Sequence, residues 1–185
     1  EVEMVQTITS GTSKAILILA DGLPVVLEQQ QEKTLKESDG TKINVLKEHI
    51  SYERGVDDKQ EKSVYHELVI PRGGEFSITL SDGTIVYLNS ESELRYPVNF
   101  VGRDRRVYLS GEAYFDVTQN KEHPFIVEMK NSVVRVLGTS FDVRAYADED
   151  EVLTTLVQGV VRFSAGKESV VLEPGKQAIL CLLYT

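Results

Sequence analysis

Residues 71–146 read PRGGEFSITLSDGTIVYLNSESELRYPVNFVGRDRRVYLSGEAYFDVTQNKEHPFIVEMKNSVVRVLGTSFDVRAY. Short β-prone runs follow one another here, separated by Asp82-Gly83, Ser110-Gly111, Lys130-Asn131 and Gly138. Apolar residues alternate with polar ones inside the runs, as in strands that bury one face. Val107-Leu109 leads to a turn at Ser110-Gly111, and Ala113-Val117 follows it. His123-Pro124 opens Phe125-Met129, Val133-Leu137 comes next, and Gly138 precedes Ser140-Tyr146. The relay continues through Val152-Val157, Val160-Phe163, Ser169-Leu172 and a last run from Gln177. Strand runs spaced roughly 8–12 residues apart predict an all-β sandwich, roll or solenoid-like stack of short, mostly antiparallel strands with little helix. Phe115, Phe125, Val127 and Phe141 are the expected core, and Gly83, Gly111, Gly138 and Gly159 the expected turn or bulge positions.

Upstream, Lys14 to Glu28 gives KAILILADGLPVVLE, two apolar runs around Asp21-Gly22. Asp-Gly between β-prone runs is a strong hairpin signal. Leu19 through Leu27 aligns without gaps on Leu80 through Leu88, a weak internal echo. The segment between the two hairpins is polar. Glu28 to Glu37 is expected to be a short helix or a mobile arm, and Thr34-Leu35-Lys36 and Asp57 to Ser63 solvated connections. Short apolar patches interrupt it at Ile43-Leu46 and Val64-Tyr65. The division expected is therefore 1–66, a hairpin plus polar connection, and 67–185, a β domain.

Composition narrows the function. The chain has 185 residues and a formal charge of -9, which argues against nucleic acid and anionic membrane surfaces as partners. Cys181 is the single cysteine, so no internal disulfide framework exists. No apolar run reaches the roughly 18 residues of a membrane span, and EVEMVQTITSGTSK has no signal-peptide pattern. Glu1 is not an initiator Met and the chain stops within an apolar run, so a piece of a longer protein is expected.

No reactive constellation is legible. His49, His66 and His123 lie far apart and give no zinc spacing, and His123 reads as a turn residue before Pro124. Asp148-Glu149-Asp150-Glu151 lacks the spacing and the Gly of a calcium loop and reads as a solvated loop. Arg103-Asp104-Arg105-Arg106 reads as a hydrated turn with Asp104 paired locally, or as a receiver for an acidic patch. Arg72-Gly73-Gly74 lacks the Lys and the helix of a phosphate loop and suggests a bulge or close backbone approach. Glu112 and Asp116 share a strand face, yet no further polar group makes a glycosidase of them. No catalytic, cofactor or metal residue is therefore assigned, and a partner-binding surface is not legible. A non-enzymatic β scaffold that binds something is the expectation. A carbohydrate-binding module is the alternative, with Tyr65, Tyr87, Tyr96 and Tyr108 as its platform, although the chain has no Trp.

Longer blocks carry a resemblance. Leu80-Ser81-Asp82-Gly83-Thr84, Val86-Tyr87-Leu88-Asn89, Arg106 through Val117 (RVYLSGEAYFDV), Pro124-Phe125-Ile126-Val127, Val136 through Val143 (VLGTSFDV), Thr155 through Val161 (TLVQGVV) and Pro174 through Ala178 (PGKQA) stand in one order. In these blocks the chain resembles the FecR family of bacterial transmembrane anti-sigma regulators, and its lead-in resembles the Bacteroidetes branch. The resemblance implies a cytoplasmic sigma-binding segment, one membrane helix and a periplasmic sensor region. It further implies that the signalling domain of an outer-membrane TonB-dependent transporter engages the sensor, and that an extracytoplasmic-function sigma factor is the output. Iron-chelate or glycan uptake genes are the typical targets. The cytoplasmic segment, the membrane helix and the small αβ domain that usually follows the β region have no counterpart in these residues. That αβ domain is implicated in partner contact in relatives, so direct transporter binding by this region alone is in doubt.

Overall fold

A computed structural model describes residues 14–28, 33–36, 42–46, 49–53 and 64–182. Seventeen strands and no helix occur among them. Two layers form, and the chain passes repeatedly from one to the other. The first layer holds β1 (Lys14–Ile18), β2 (Pro24–Glu28), β6 (Tyr65–Val69), β9 (Glu93–Pro97), β11 (Phe125–Met129), β12 (Ser132–Val136), β15 (Val161–Ala165) and β16 (Glu168–Leu172). The second holds β3 (Lys33–Lys36), β4 (Lys42–Leu46), β5 (His49–Glu53), β7 (Phe76–Thr79), β8 (Ile85–Leu88), β13 (Ser140–Ala145), β14 (Glu151–Gln158) and β17 (Gln177–Cys181). The long β10 (Arg105–Asp116) belongs to both. The first layer runs β2-β1-β6-β9-β10-β11-β12-β15-β16. The second runs β3-β4-β5-β7-β8-β10-β13-β14-β17. Among the described strands only β10–β11 and β5–β7 are parallel. The all-β expectation of short, mostly antiparallel strands is met, as a sandwich whose chain path is a roll.

Alternation builds the core. β10 buries every second side chain along most of its length, and so do β6, β7 and β13. Phe115 on the second-layer half of β10 meets Phe125 of the first layer at 6.1 Å between ring centroids, and stacks on Phe141 at 5.1 Å. The four expected core residues Phe115, Phe125, Val127 and Phe141 are all fully buried. The early strands join the same core through Ala15, Leu17, Ile43, Val45 and Ile50.

Both Asp-Gly hairpins close with one geometry. Gly22 N–H donates to Leu19 C=O at 2.9 Å and Leu19 N–H to Leu23 C=O at 3.1 Å; Gly83 to Leu80 and Leu80 to Thr84 repeat this at 2.9 Å each. In each turn the Asp carboxylate accepts the amide two residues on, Leu23 or Thr84. This is a three-residue loop with glycine in the left-handed region.

Three local expectations are corrected. Thr34-Leu35-Lys36 is no connection: it lies in β3, where Leu35 pairs with Ile43 and packs against the core. One leucine among polar neighbours leaves too little pattern to show a strand. Ser110-Gly111 is no turn either. β10 runs straight through it, pairing with β9 and β11 up to Ser110 and with β8 and β13 from Gly111 onward. Gly111 has φ of +103°, and a Cβ on it would lie 2.6 Å from Ser92 Cα. The bend needs glycine, and it reads in sequence like a turn. Ser92 Oγ accepts Glu112 N–H at 2.8 Å and donates to Glu112 C=O at 3.1 Å, so the backbone at the bend stays paired. The short helix or mobile arm expected over Glu28 to Glu37 is also corrected where it is described, since Glu28 closes β2 and Lys33–Lys36 is β3; residues 29–32 and 37, and Asp57 to Ser63, lie outside the described residues.

Gly111→Val is expected to cost about 3 kcal/mol or more, from backbone strain plus overpacking on Ser92. Ser92→Ala is expected to cost about 1–3 kcal/mol for the exposed bonding deficit at Glu112. Urea denaturation of both variants checks this; losses within a few tenths of a kcal/mol would show that the bend is not critical.

Candidate functional site

The turn between β7 and β8 reaches the first layer through one buried ion pair. Asp82 Oδ2 accepts Thr84 Oγ1–H at 2.7 Å and Arg105 Nη1–H at 2.6 Å. Arg105 opens β10 and is 3% exposed. Its Nη1 also donates to Thr118 C=O at 2.9 Å and its Nε to His123 C=O at 2.8 Å, while its guanidinium lies 5.4 Å from the Phe125 ring centroid. One side chain thus joins the β7–β8 turn to both ends of the β10–β11 connection. It also lines a cleft of about 320 Å³ with Tyr52, Asn99 and Asn120. This corrects the hydrated-turn expectation for Arg105. Asp104 does pair locally, with Arg106 at 3.1 Å, and Arg106 also pairs with Glu128. Strand alternation points Arg105 inward with Val107 and Leu109, and an inward cation is tolerable only when paired.

The outer face of the second layer carries a polar row. Register aligns Ser77, Tyr87, Tyr114, Asp142, Thr155 and Gln177 across successive strands. The Tyr87 and Tyr114 rings lie 6.2 Å apart. Burial, with Glu112 nearby, pushes the Asp142 carboxyl up to about 6. Glu112 accepts Asn89 Nδ2–H at 3.2 Å and lies 3.6 Å from the Arg144 guanidinium. Asp116 accepts Ser140 Oγ–H at 2.9 Å. The two carboxylates do share a face, but Tyr114 stands between them and each has a local partner. A groove of about 480 Å³ lies over Tyr87, Tyr114, Asn89, Glu112 and Asp142. Two ring faces with amide and carboxylate groups are equipment for holding a polar ligand.

The four tyrosines named from sequence do not share one platform. Tyr65 and Tyr108 sit on the first layer, with the Arg95 guanidinium 4.5 and 5.3 Å from their centroids. Tyr87 faces out from the second layer. Tyr96 is fully buried, its hydroxyl bonded to that of Tyr52. Tyr114, the true neighbour of Tyr87, was hidden because cross-strand pairing is not visible before the register is known. The histidines stay separate. His66 is buried and bonds the Tyr52 hydroxyl at 3.0 Å. His49 sits between Ser77 Oγ and Thr79 Oγ1, and burial lowers its basicity. His123 lies in a bend and is exposed, as its turn assignment requires. Glu149 of the acidic loop pairs with Arg144. Gly74 makes the close approach expected near Arg72, since a Cβ there would lie 2.9 Å from Lys14 C=O. Among the described residues, no group of three or more His, Cys, Asp or Glu could hold a metal ion, and no helix is long and apolar enough to cross a membrane.

A sequence profile described as FecR protein matches residues 66–162. The chain belongs to the FecR family. The match spans β6 to the start of β15 and so includes the Asp82–Arg105 pair, the Gly111 bend and the Tyr87–Tyr114–Asp142 row. Two crystal structures of a candidate anti-sigma factor from Parabacteroides distasonis ATCC 8503, at 2.50 and 1.65 Å resolution, are similar in fold. Each is 34% identical in sequence; the TM-scores are 0.63 and 0.62, over 64% and 63% of this chain. The match covers 55% of the relatives' own length in both cases. Among curated proteins no significant match is found. As a FecR-family chain, the molecule carries the matched residues on both layers and on the strand that joins them.

Asp82→Asn is expected to cost about 3–5 kcal/mol by leaving Arg105 buried without a counter-charge. Adding Arg105→Met to it is expected to recover part of that loss, read as coupling in a double-mutant cycle by urea unfolding; strictly additive losses would show the pair uncoupled. Asp142 titrates higher in the fold than in the unfolded chain, so its protonated form is favoured by folding. Its contribution is complete below about pH 4 and is lost as pH rises through about 6. Asp142→Asn is therefore expected to flatten the fall in stability over that window and to raise the melting temperature at pH 7. An unchanged pH profile would place the titration elsewhere.

Proposed function

We propose that this chain is the sensor region of an anti-sigma regulator on the periplasmic face of the bacterial inner membrane. It relays the state of an outer-membrane TonB-dependent transporter to an extracytoplasmic-function sigma factor. The observation that carries this is the FecR match over residues 66–162, which falls on the strands that build both layers. The similarity to a candidate anti-sigma factor supports it. The sigma-binding and membrane-spanning functions of such a regulator belong to other parts of a full-length protein. A binding role suits a β scaffold, whose faces and edges offer docking surface. The region acts by binding and transmitting, not by making or breaking bonds.

A second reading is a carbohydrate-binding module. The observation in its favour is the Tyr87–Tyr114 pair beside Glu112 and Asp142 in one groove. A glycan array separates the two readings, with Tyr87→Ala as the control.

Calorimetric titration of this chain, and of a version extended at its C-terminus, with the cognate transporter's signalling domain tests the proposal. Binding of the extended protein is expected. Binding by this chain as well would place contact on the β layers, whereas binding by neither, with a positive glycan array, would favour the carbohydrate module.

A further inference from the structure

We propose that a cationic groove beside β12 and β15 of the first layer binds an acidic segment of a protein partner, anchored by apolar side chains. This goes beyond the sensor reading and does not depend on it. The groove encloses about 770 Å³. Arg103 and Lys121 reach it from the connections flanking β10, and Arg135 and Arg162 from β12 and β15. Four cations meet one carboxylate, Glu122, on a chain whose formal charge is -9. None of the four takes part in an ion pair among the described residues, although Arg105, Arg106 and Arg144 all do.

The placement of two of them is costly. Arg135 and Arg162 stand directly opposite one another on neighbouring strands. Like charges in that position repel, so the fold gains nothing from the pairing. Both are exposed, and a carboxylate placed between them would turn repulsion into two charge-assisted bonds.

Much of the rest of the groove is apolar and open, with Gln119 and Thr139 beside it. Leu137 is 44%, Val160 60% and Val171 53% exposed, and all three line it. Leu137 and Val160 flank tight corners: a Cβ on Gly138 would lie 2.6 Å from Gln119 Cα, and one on Gly159 2.8 Å from Thr139 Oγ1, so the β12–β13 corner presses against the β10–β11 connection. Apolar and cationic side chains lining one groove select a ligand carrying both features. Nucleic acid fits poorly, because no aromatic side chain lines the groove for base stacking and the remaining surface repels a long polyanion. A short acidic segment with leucine- or valine-sized anchors meets the cations without meeting that repulsion.

Fluorescence anisotropy tests this with a short labelled peptide alternating glutamate and leucine. It is expected to bind at least about tenfold more tightly than a glutamine–leucine peptide or polyglutamate of equal length. Arg135→Glu with Arg162→Glu is expected to weaken it by at least about tenfold, and Val160→Ser to weaken it also. Arg72→Glu, an exposed charge change outside the groove, is expected to leave binding unchanged. Thermal melts of all variants confirm that the fold is kept. No binding, equal binding of the glutamine–leucine peptide or of polyglutamate, tighter binding of a heparin fragment, or indifference to the double reversal would each overturn the proposal.

Discussion

The membership of β10 in two sheets is the constraint on which the rest depends. Its first half lies between β9 and β11, and its second half between β8 and β13. Side-chain direction alternates strictly along a strand, so a slip of one residue would turn the core faces of both layers outward together. The bend at Gly111 lets one strand serve both layers, and Ser92 supplies the hydrogen bonds that the bend would otherwise leave open. Register is thereby set once for the whole molecule.

A second tie reinforces the first. The Asp82–Arg105 pair joins the tip of a second-layer hairpin to the start of β10 and to the connection that follows it. The equivalent Asp21 turn has the same backbone geometry, but among the described residues its carboxylate accepts only the local amide of Leu23. Two identical turns therefore differ in use: one closes a hairpin, and the other also fastens the layers together.

Much of this was legible in the residues. Alternation around Phe115, Phe125 and Phe141 identified inward positions because burial on one face leaves a period of two. Asp21-Gly22 and Asp82-Gly83 announced hairpins because few other residues tolerate that turn. What failed were features that depend on pairing. Gly111 looked like a turn because the same backbone conformation serves a turn and a bend within a strand. Arg105 looked hydrated because its partner Asp82 lies 23 residues away in sequence. Tyr114 and Asp142 became neighbours of Tyr87 only through register, and Leu35 had too few apolar companions to reveal β3. The FecR resemblance succeeded where spacing could not, because it rested on long ordered blocks; it names no contact surface.

The ends of the two layers are unlike one another. At one end β2 begins with Pro24, which removes a donor from the edge, and β3 is only four residues long with lysine at each end. At the other end β16 and β17 show Val170, Val171 and Ile179 to solvent. Edge-to-edge polymerisation of identical copies requires both ends to be receptive. With proline and lysines at one end and apolar side chains at the other, the two ends are poor partners for one another, and copies of the chain are hindered from stringing edge to edge into a fibre.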